Sequence, residues 1–169
     1  THDSIARLIR DLNLIYKAEP AMRTEEYNNV HFNWLMVNNH EQSVYAFENK
    51  LYILDTRNAF WQGIIDAPRI FVFDLQSNTL EDILILEEGS FALNSYVNDL
   101  RIDKENQIII MTDSNEPALI IYDLKNRKSK RVLEQHPSTK AEKNHLNIAG
   151  NIWKNTVHSD GIAFDSKNK

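Results

Sequence analysis

The spacing of apolar residues changes along the chain and predicts two regions of different structure. Residues 3–17 place apolar side chains at intervals of three and four residues, which is typical of one face of a helix. Pro20 follows and bars continuation of that helix. Two short runs come next, at 32–37 and 44–47, and the polar turn residues between them predict a β-hairpin.

From Leu51 onward the pattern is one of strands alone. Short runs rich in β-branched and aromatic residues are bounded by Asn, Asp, Gly, Pro or Lys, as in antiparallel sheets. These runs are LYILDT (51–56), IFVFDL (70–75), DILIL (82–86), QIIIMTD (107–113) and LIIYDL (119–124). Many short strands of this kind predict a mainly β fold, which would be a sandwich, a barrel or a propeller.

An internal repeat distinguishes among these architectures. The strand pair in 51–75 matches the pair in 107–124, and VNDLRIDKENQ (97–107) is echoed by SDGIAFDSKNK (159–169). Echoes about 50–60 residues apart suit one four-stranded blade per repeat, so we expect about two blades of a β-propeller. Aspartates recur at the strand ends and are expected to cap turns by accepting backbone N–H bonds. They are Asp55, Asp74, Asp103, Asp113, Asp123 and Asp165.

Composition excludes several kinds of site. Apolar residues make up 42% of the chain and charged residues 25%, as in ordinary globular proteins, and the formal net charge is −5. The absence of cysteine excludes disulfides, thiolate nucleophiles and zinc–thiolate centres. The basic cluster at 125–131 is interpreted as a solvated turn, so no nucleic-acid partner is expected. No apolar run reaches the length of a membrane span and no signal peptide is visible, so no membrane partner is expected.

Four sequence blocks carry a family resemblance in their order and spacing. They are LYILDT, APRIFVFDL, the stretch at 96–139 and HSDGIAFDSKNK. In these blocks the chain resembles the yellow/major royal jelly protein family, which includes dopachrome-tautomerase-related proteins. The resemblance implies that residues 50–169 form part of a six-bladed propeller. Arg57 departs from the family pattern of Gly after L-D-T, and Gly tolerates a positive φ that Arg does not. Residues 165–167 also replace the family's S-P-D-G turn.

The first 49 residues carry a second resemblance. RLIRDLNLIYKAEPAM (7–22) is followed by HFNWLMVNNHEQSVYAFENK (31–50). These stretches resemble the last barrel helix and the first hairpin of the C-terminal β-domain in a glycogen (1,4-α-glucan) branching enzyme. The catalytic carboxylates of such enzymes lie upstream of this helix, so no catalytic residue is assigned. We interpret the chain as a chimeric fragment with units 1–49 and 50–169, that is, a helix and a hairpin before a partial propeller.

The first candidate site lies at the mouth of the propeller channel, where loops bind ligands. VND (97–99) and SDG (159–161) begin corresponding inner strands, so Asn98, Asp99 and Asp160 are expected to face one channel. Gluconolactonase-type propellers hold a divalent cation at such positions, which would make Asn98 and Asp160 metal ligands. Oxygen ligands favour Ca²⁺ or Mg²⁺. The alternative is that these side chains hydrogen-bond the loop backbone.

An aromatic pocket is the second candidate. Trp61 and Tyr96, with Phe60 and Trp153 nearby in sequence, are placed to stack on an aromatic amine, and the resembled family includes amine binders. The alternative for these rings is packing between blades. Three loop histidines match no metal motif and are interpreted as ordinary surface or loop histidines. They are His136, His145 and His158.

The function implied by the propeller resemblance is binding of a small molecule, such as an aromatic amine, at the channel mouth. The alternatives are a metal-dependent lactonase or tautomerase, or a fragment of a branching enzyme, and we expect no activity from this fragment alone. No cofactor other than Ca²⁺ is expected. Resemblance implies a secreted or periplasmic location for the propeller part and a cytoplasmic one for the N-terminal part. Open blade edges predict self-association.

Overall fold

A computed structural model of the protein describes residues 41–58, 63–64, 66–142, 145–154 and 156–164. Within those residues the regular structure consists of strands, and none of them forms a helix long and apolar enough to cross a membrane. The helix predicted at 3–17 and the strand predicted at 32–37 lie outside the described residues. The strands are β1 (Glu41–Phe47), β2 (Lys50–Asp55), β3 (Arg69–Asp74), β4 (Thr79–Ile85), β5 (Val97–Asp103), β6 (Ile108–Asp113), β7 (Ala118–Asp123), β8 (Lys128–Val132), β9 (Leu146–Ile148) and β10 (Asn151–Trp153).

The strands form two four-stranded antiparallel meanders. The first sheet has the order β1-β2-β3-β4 and the second β5-β6-β7-β8, while β9 and β10 form a separate hairpin. Each strand pairs with the next one along the chain, which is the arrangement within a propeller blade. The first strands of the two sheets, β1 and β5, lie against each other, as inner strands of adjacent blades do. The prediction of a mainly β chain with about two blades is confirmed.

A shared apolar core joins the two sheets. Because side chains alternate between the faces of a strand, every second residue of β2 and β3 points toward the second sheet. Leu54 and Ile70 of the first sheet belong to one buried cluster with Leu100, Ile109 and Met111 of the second. Each fully buried side chain of this size stabilises the fold by about 1.5–3 kcal/mol. The alternate residues of β2 and β3 form a second buried cluster on the opposite face.

The predicted strands appear close to their expected positions, and the run predicted at 44–47 pairs with the strand that follows it. Residues 44–47 lie inside β1, where Tyr45 pairs with Tyr52 and Phe47 with Lys50 of β2. β1 therefore belongs to the same sheet as the residues that follow it. The hairpin partner predicted for it at 32–37 lies outside the described residues, and the division of the chain after residue 49 stays a prediction.

The interpretation of residues 125–131 as a solvated turn is wrong in its second half. The turn ends at Arg127, and Lys128–Val132 forms β8, the outer strand of the second sheet. Because an outer strand buries only one face, β8 can consist mostly of polar residues, and its sequence resembles that of a turn. The Arg131 guanidinium points inward and its Nη1 lies 2.8 Å from Asp113 Oδ2, with the Arg131 side chain 8% exposed.

The expectation that strand-end aspartates cap turns is confirmed. Asp74 Oδ1 accepts hydrogen bonds from the backbone N–H groups of Gln76 and Ser77, and the bond from Ser77 holds the pKa of Asp74 below its usual value. Asp103 and Asp123 accept equivalent bonds from residues three positions later. Asp165 lies outside the described residues.

Asp113 caps its turn from a fully buried position. Its carboxylate accepts the backbone N–H groups of Tyr96 at 3.0 Å and Glu116 at 3.1 Å, besides the hydroxyl of Ser95 and the guanidinium of Arg131. A buried charge of this kind is tolerated because its oxygens are all occupied by donors. Asp113 thus joins the loop before β5, the turn after β6 and the outer strand β8 into one blade.

Replacement of Asp113 by Asn should lower the free energy of unfolding by about 3–5 kcal/mol, because it leaves the buried Arg131 guanidinium without its counter-charge. The measurement is urea unfolding at neutral pH. Asp123→Asn is the matched control, since it removes a solvent-accessible turn cap of the same residue type and should cost much less. Equal costs for the two variants would contradict a special role for the buried pair.

Candidate functional site

The candidate site lies where the inner strands begin. β1 and β5 start at the same end of their sheets, and both carry a register shift near their first residues, between Glu41 and Ser43 and between Val97 and Leu100. Bulges of this kind re-aim side chains beside functional sites. In β5 the shift spans Asn98 and Asp99, so two consecutive polar side chains emerge at this end.

The Asp99 carboxylate accepts hydrogen bonds from three parts of the chain. Oδ1 accepts the hydroxyl of Ser43 from β1 at 2.6 Å, and Oδ2 accepts the backbone N–H of Ile162 at 3.0 Å. Within β5, Oδ1 also accepts the N–H of Leu100 at 2.8 Å and Nη1 of Arg101 at 2.8 Å. Asp99 therefore connects β1, β5 and the segment 156–164.

The ionised form of Asp99 is favoured by these contacts. Burial raises the pKa of Asp99, but the hydrogen bonds from Ser43, Ile162 and Leu100 and the charge of Arg101 together outweigh burial and hold the pKa below its usual value. Donors to a carboxylate stabilise its charged form. With four donors on two oxygens, this carboxylate has little capacity left for a ligand.

Asn98 and Asp160 meet across the boundary between the second sheet and segment 156–164. The Asn98 side-chain amide donates to the Asp160 carboxylate and, at 2.9 Å, to the hydroxyl of Ser114. The Asp160 backbone carbonyl accepts the hydroxyl of Thr112. The Asp160 side chain is nevertheless on the exposed surface, whereas Asn98 is half-buried. The structure thus brings together the two residues that the repeat aligned.

Segment 156–164 is attached to the second sheet by further hydrogen bonds. The backbone N–H of His158 donates to the Ser114 carbonyl at 2.9 Å, and the Ser159 hydroxyl donates to the Asp113 carbonyl at 3.1 Å. Ser114 returns a bond from its hydroxyl to the Ser159 carbonyl at 2.8 Å. These contacts fix Asp160 relative to β5.

Tyr96 lies beside this pair and is 8% exposed. Burial raises the pKa of Tyr96, and the negative charge of Asp160 raises it further, so the phenol stays protonated near neutral pH. The arrangement combines an exposed carboxylate with an aromatic ring at one end of the channel. Trp61 and Phe60 lie outside the described residues, and only the backbone of Trp153, in β10, is described.

The geometry gives limited support to a cation site at Asn98 and Asp160. Asn98 presents its amide nitrogen to Asp160, so its oxygen would have to rotate toward a cation. Among the described residues, no group of three or more His, Cys, Asp or Glu side chains is arranged to hold a metal ion. Ca²⁺ takes six to eight oxygen ligands, and this pair supplies only part of such a shell.

Two of the loop histidines make local hydrogen bonds. His136 Nδ1 lies 2.7 Å from the Ser138 hydroxyl, and His158 Nδ1 accepts the backbone N–H of Ala141 at 3.0 Å. Both contacts organise loops, which agrees with their interpretation as ordinary loop residues. His145 is exposed.

Sequence reasoning missed the residues that hold the site in place, Ser43 and Ser114. Ser114 follows the repeated strand-end Asp113, and the matching position after Asp55 is Thr56, so a comparison of hydroxyl residues between repeats would have indicated it. Ser43 gave no such signal, because the matching inner-strand position in β5 is occupied by Asp99.

The family model of the major royal jelly protein matches residues 44–169, which begin inside β1 and include both blades and segment 156–164. The chain belongs to the major royal jelly protein family. This confirms the propeller resemblance seen in the sequence. The family match begins at Val44, so four of the seven residues of β1 fall within it.

Short similarities to another class of protein are also found. A 1,4-alpha-glucan branching enzyme of Rhizobium johnstonii is 37% identical over 49 residues, which is 29% of this chain and 7% of that enzyme. The enzyme of Agrobacterium fabrum is 41% identical over 46 residues, 27% of this chain and 6% of the enzyme. The chain spans less than a tenth of the length of these curated relatives.

A solved structure of a Bacteroides fragilis protein is 16% identical, with a TM-score of 0.38. The match covers 68% of this chain and 29% of that protein. A similarity of this size adds nothing to the assignment of function.

Stability should depend on pH through Asp99. Its pKa is lower in the folded protein than the value of about 3.9 in an unfolded chain, so it stabilises the fold above about pH 4. That contribution is lost as the pH falls through the folded pKa. Asp99→Asn should therefore lower the free energy of unfolding by about 2 kcal/mol at pH 7, and the difference from the wild type should shrink as the pH falls below about 4.

The measurement is urea unfolding of both proteins across this pH range. Glu88→Gln, which changes an exposed carboxylate, is the control and should leave the unfolding curve close to that of the wild type. A difference between Asp99→Asn and the wild type that stays constant down to low pH would contradict this account of the carboxylate.

Proposed function

We propose that this major royal jelly family propeller binds a small aromatic amine at the channel mouth, with Asp160 as the partner of the ammonium group. The observation that carries the proposal is the exposed Asp160 carboxylate, anchored across a blade boundary by Asn98 and close enough to Tyr96 to raise its pKa. A negative group beside an aromatic ring matches the two parts of an arylalkylamine.

The acceptor capacity of Asp160 fits this ligand. In the described part of the chain, the Asp160 side chain accepts a hydrogen bond only at Oδ1, from the Asn98 amide. A carboxylate has about four lone-pair positions, so Oδ2 and part of Oδ1 remain for an ammonium donor. Asn98 orients the carboxylate, and its side-chain amide also donates a hydrogen bond to the Ser114 hydroxyl.

The aromatic part of the ligand would lie against Tyr96. This ring is largely buried and would present an edge rather than a full face, so a second aromatic wall is required for strong stacking. Trp61 is our prediction for that wall. Asp99 is assigned a positioning role, because its four donors already occupy both oxygens.

A metal-dependent lactonase or tautomerase is the second candidate, favoured by the approach of Asn98 in β5 to Asp160 in segment 156–164. It would use Ca²⁺, with the Asn98 amide rotated to present its oxygen. Branching activity is not proposed, because the chain spans only 7% and 6% of the branching enzymes it matches.

Titration calorimetry with tyramine and 4-ethylphenol tests the amine proposal, because the two probes share the phenol ring and differ mainly in the amine. We expect tyramine to bind at least about ten-fold more tightly, which corresponds to about 1.4 kcal/mol for the ammonium contact. Asp160→Asn should abolish this preference, and Glu88→Gln should retain it. Equal affinity for the two probes, or a preference that survives in Asp160→Asn, would overturn the proposal.

Calcium titration of the same proteins distinguishes the metal-dependent enzyme from the amine-binding protein. The amine proposal predicts tyramine binding that is unchanged by a chelator. Calcium binding to the wild type that disappears in Asp160→Asn, together with loss of tyramine binding in the chelator, would instead favour the metal site.

A further inference from the structure

A second cluster of charged residues lies in the first sheet, at the end of β2 and the start of β3. The Asp55 carboxylate is fully buried, and two guanidinium groups flank its Oδ2 atom. Arg69 Nε donates to this oxygen at 3.2 Å, and Arg57 Nη1 lies 3.9 Å from it. Arg57 also reaches Asp66 through Nη2 at 3.3 Å.

The two arginines are short of acceptors. Arg57 is 7% exposed, yet its Nε and Nη1 atoms are buried without a hydrogen-bond partner, and so is Nη2 of Arg69. Buried donors without partners carry a desolvation penalty, and native proteins contain few of them. The two arginines that approach the Asp55 carboxylate therefore carry three donor nitrogens for which the described residues supply no acceptor.

The equivalent aspartate of the second sheet, Asp113, pairs with a single arginine, Arg131, whose terminal nitrogens have acceptors. Arg131 donates from Nη1 to Asp113 at 2.8 Å and to Ser95 at 3.1 Å, and from Nη2 to the Glu116 carbonyl at 2.9 Å. Its Nε lies 3.6 Å from a carboxylate oxygen of Glu134. This Nε is itself buried without a hydrogen-bond partner, so the second blade has one such nitrogen on one guanidinium, whereas the first has three on two guanidinium groups.

The backbone at Arg57 adds a second observation. Its φ is 56°, in the left-handed region that favours glycine. The residue is nonetheless an arginine whose side chain turns inward to the buried carboxylate. Other turns of the described chain use the same backbone conformation, including the one at Arg127, so what distinguishes Arg57 is the buried carboxylate that its side chain approaches.

We propose that Arg57 and Arg69 form a binding site for a small oxyanion, the phosphate or carboxylate group of a small molecule. Guanidinium groups present paired donors that match the oxygens of both groups. The neighbouring negative charges oppose the anion weakly, because Asp55 is shared between the two arginines and the Asp66 side chain is 58% exposed to screening solvent. This site uses none of the residues assigned to the amine.

Thermal unfolding of the full chain in inorganic phosphate tests the site, with sodium chloride at matched ionic strength as reference. A bound anion raises the midpoint along a saturable curve, as expected for a ligand that binds only the folded state. We expect this saturable increase in the wild type and in Arg127→Lys, whose arginine is exposed, and its loss in Arg57→Lys and Arg69→Lys. Acetate in place of phosphate tells whether carboxylates are also accepted.

A general salting effect of phosphate would raise the unfolding midpoint of all four proteins equally, and that result would overturn the proposal. If a lysine variant does not fold, the arginine Nε–H signals of the wild type in nitrogen–proton NMR spectra give the answer. The site is supported if phosphate shifts only two arginine signals in a saturable way and if both signals are still present in the spectrum of Arg127→Lys. Shifts spread over all arginine signals, or none, would overturn it.

Discussion

The Asp99 carboxylate accepts hydrogen bonds from β1, from its own strand and from segment 156–164, and the arrangement of this end of the two sheets depends on it. Ser43 approaches from one side at 2.6 Å and the backbone N–H of Ile162 from the other at 3.0 Å. Sheets of adjacent blades share an apolar core but no strand ladder, so polar contacts at the inner strands set how the blades are aligned at the channel. A single ionised group with donors on both sides supplies that alignment.

The candidate site follows from this constraint. Ile162 lies two residues beyond Asp160, so the bond that holds Ile162 to β5 also limits where the Asp160 carboxylate can lie. Asn98 precedes Asp99 in the same register shift, and it donates to Asp160 from there. A rigid support at Asp99 thus leaves the neighbouring Asp160 carboxylate exposed and oriented. Buried aspartates also lie at the strand ends of both sheets, where Asp113 accepts a hydrogen bond from Arg131 and Asp55 accepts one from Arg69.

Much of the fold could be predicted from the chain because the central strands are apolar and β-branched. β2, β3, β6 and β7 appear at the runs that periodicity indicated. β8 was read as a turn, since KSKRV is polar and its one inward residue, Arg131, is paired with a buried carboxylate that no local pattern reveals. A polar outer strand and a polar loop look alike until the pairing of strands is known.

The candidate site could be predicted only in part. The repeat aligned Asn98 with Asp160, and the structure brings these two side chains together. Asp99 was grouped with them as a ligand residue, whereas its hydrogen bonds assign it to support, and that distinction depends on donors 56 and 63 residues away. Arg57 stands in a turn where the family has glycine, and it adopts a positive φ of 56°, a conformation not expected of an arginine from the sequence.

Amide hydrogen exchange at Ile162, followed by NMR in the wild type and in Asp99→Ala, tests the alignment of the inner strands most directly. The account predicts that this amide is protected in the wild type and exchanges at least about ten-fold faster in the variant, because its acceptor is gone. The amide of Leu124, which donates to the Gln107 carbonyl inside the second blade, should keep its protection in both proteins. An Ile162 amide that exchanges equally fast with and without the Asp99 carboxylate would contradict the account.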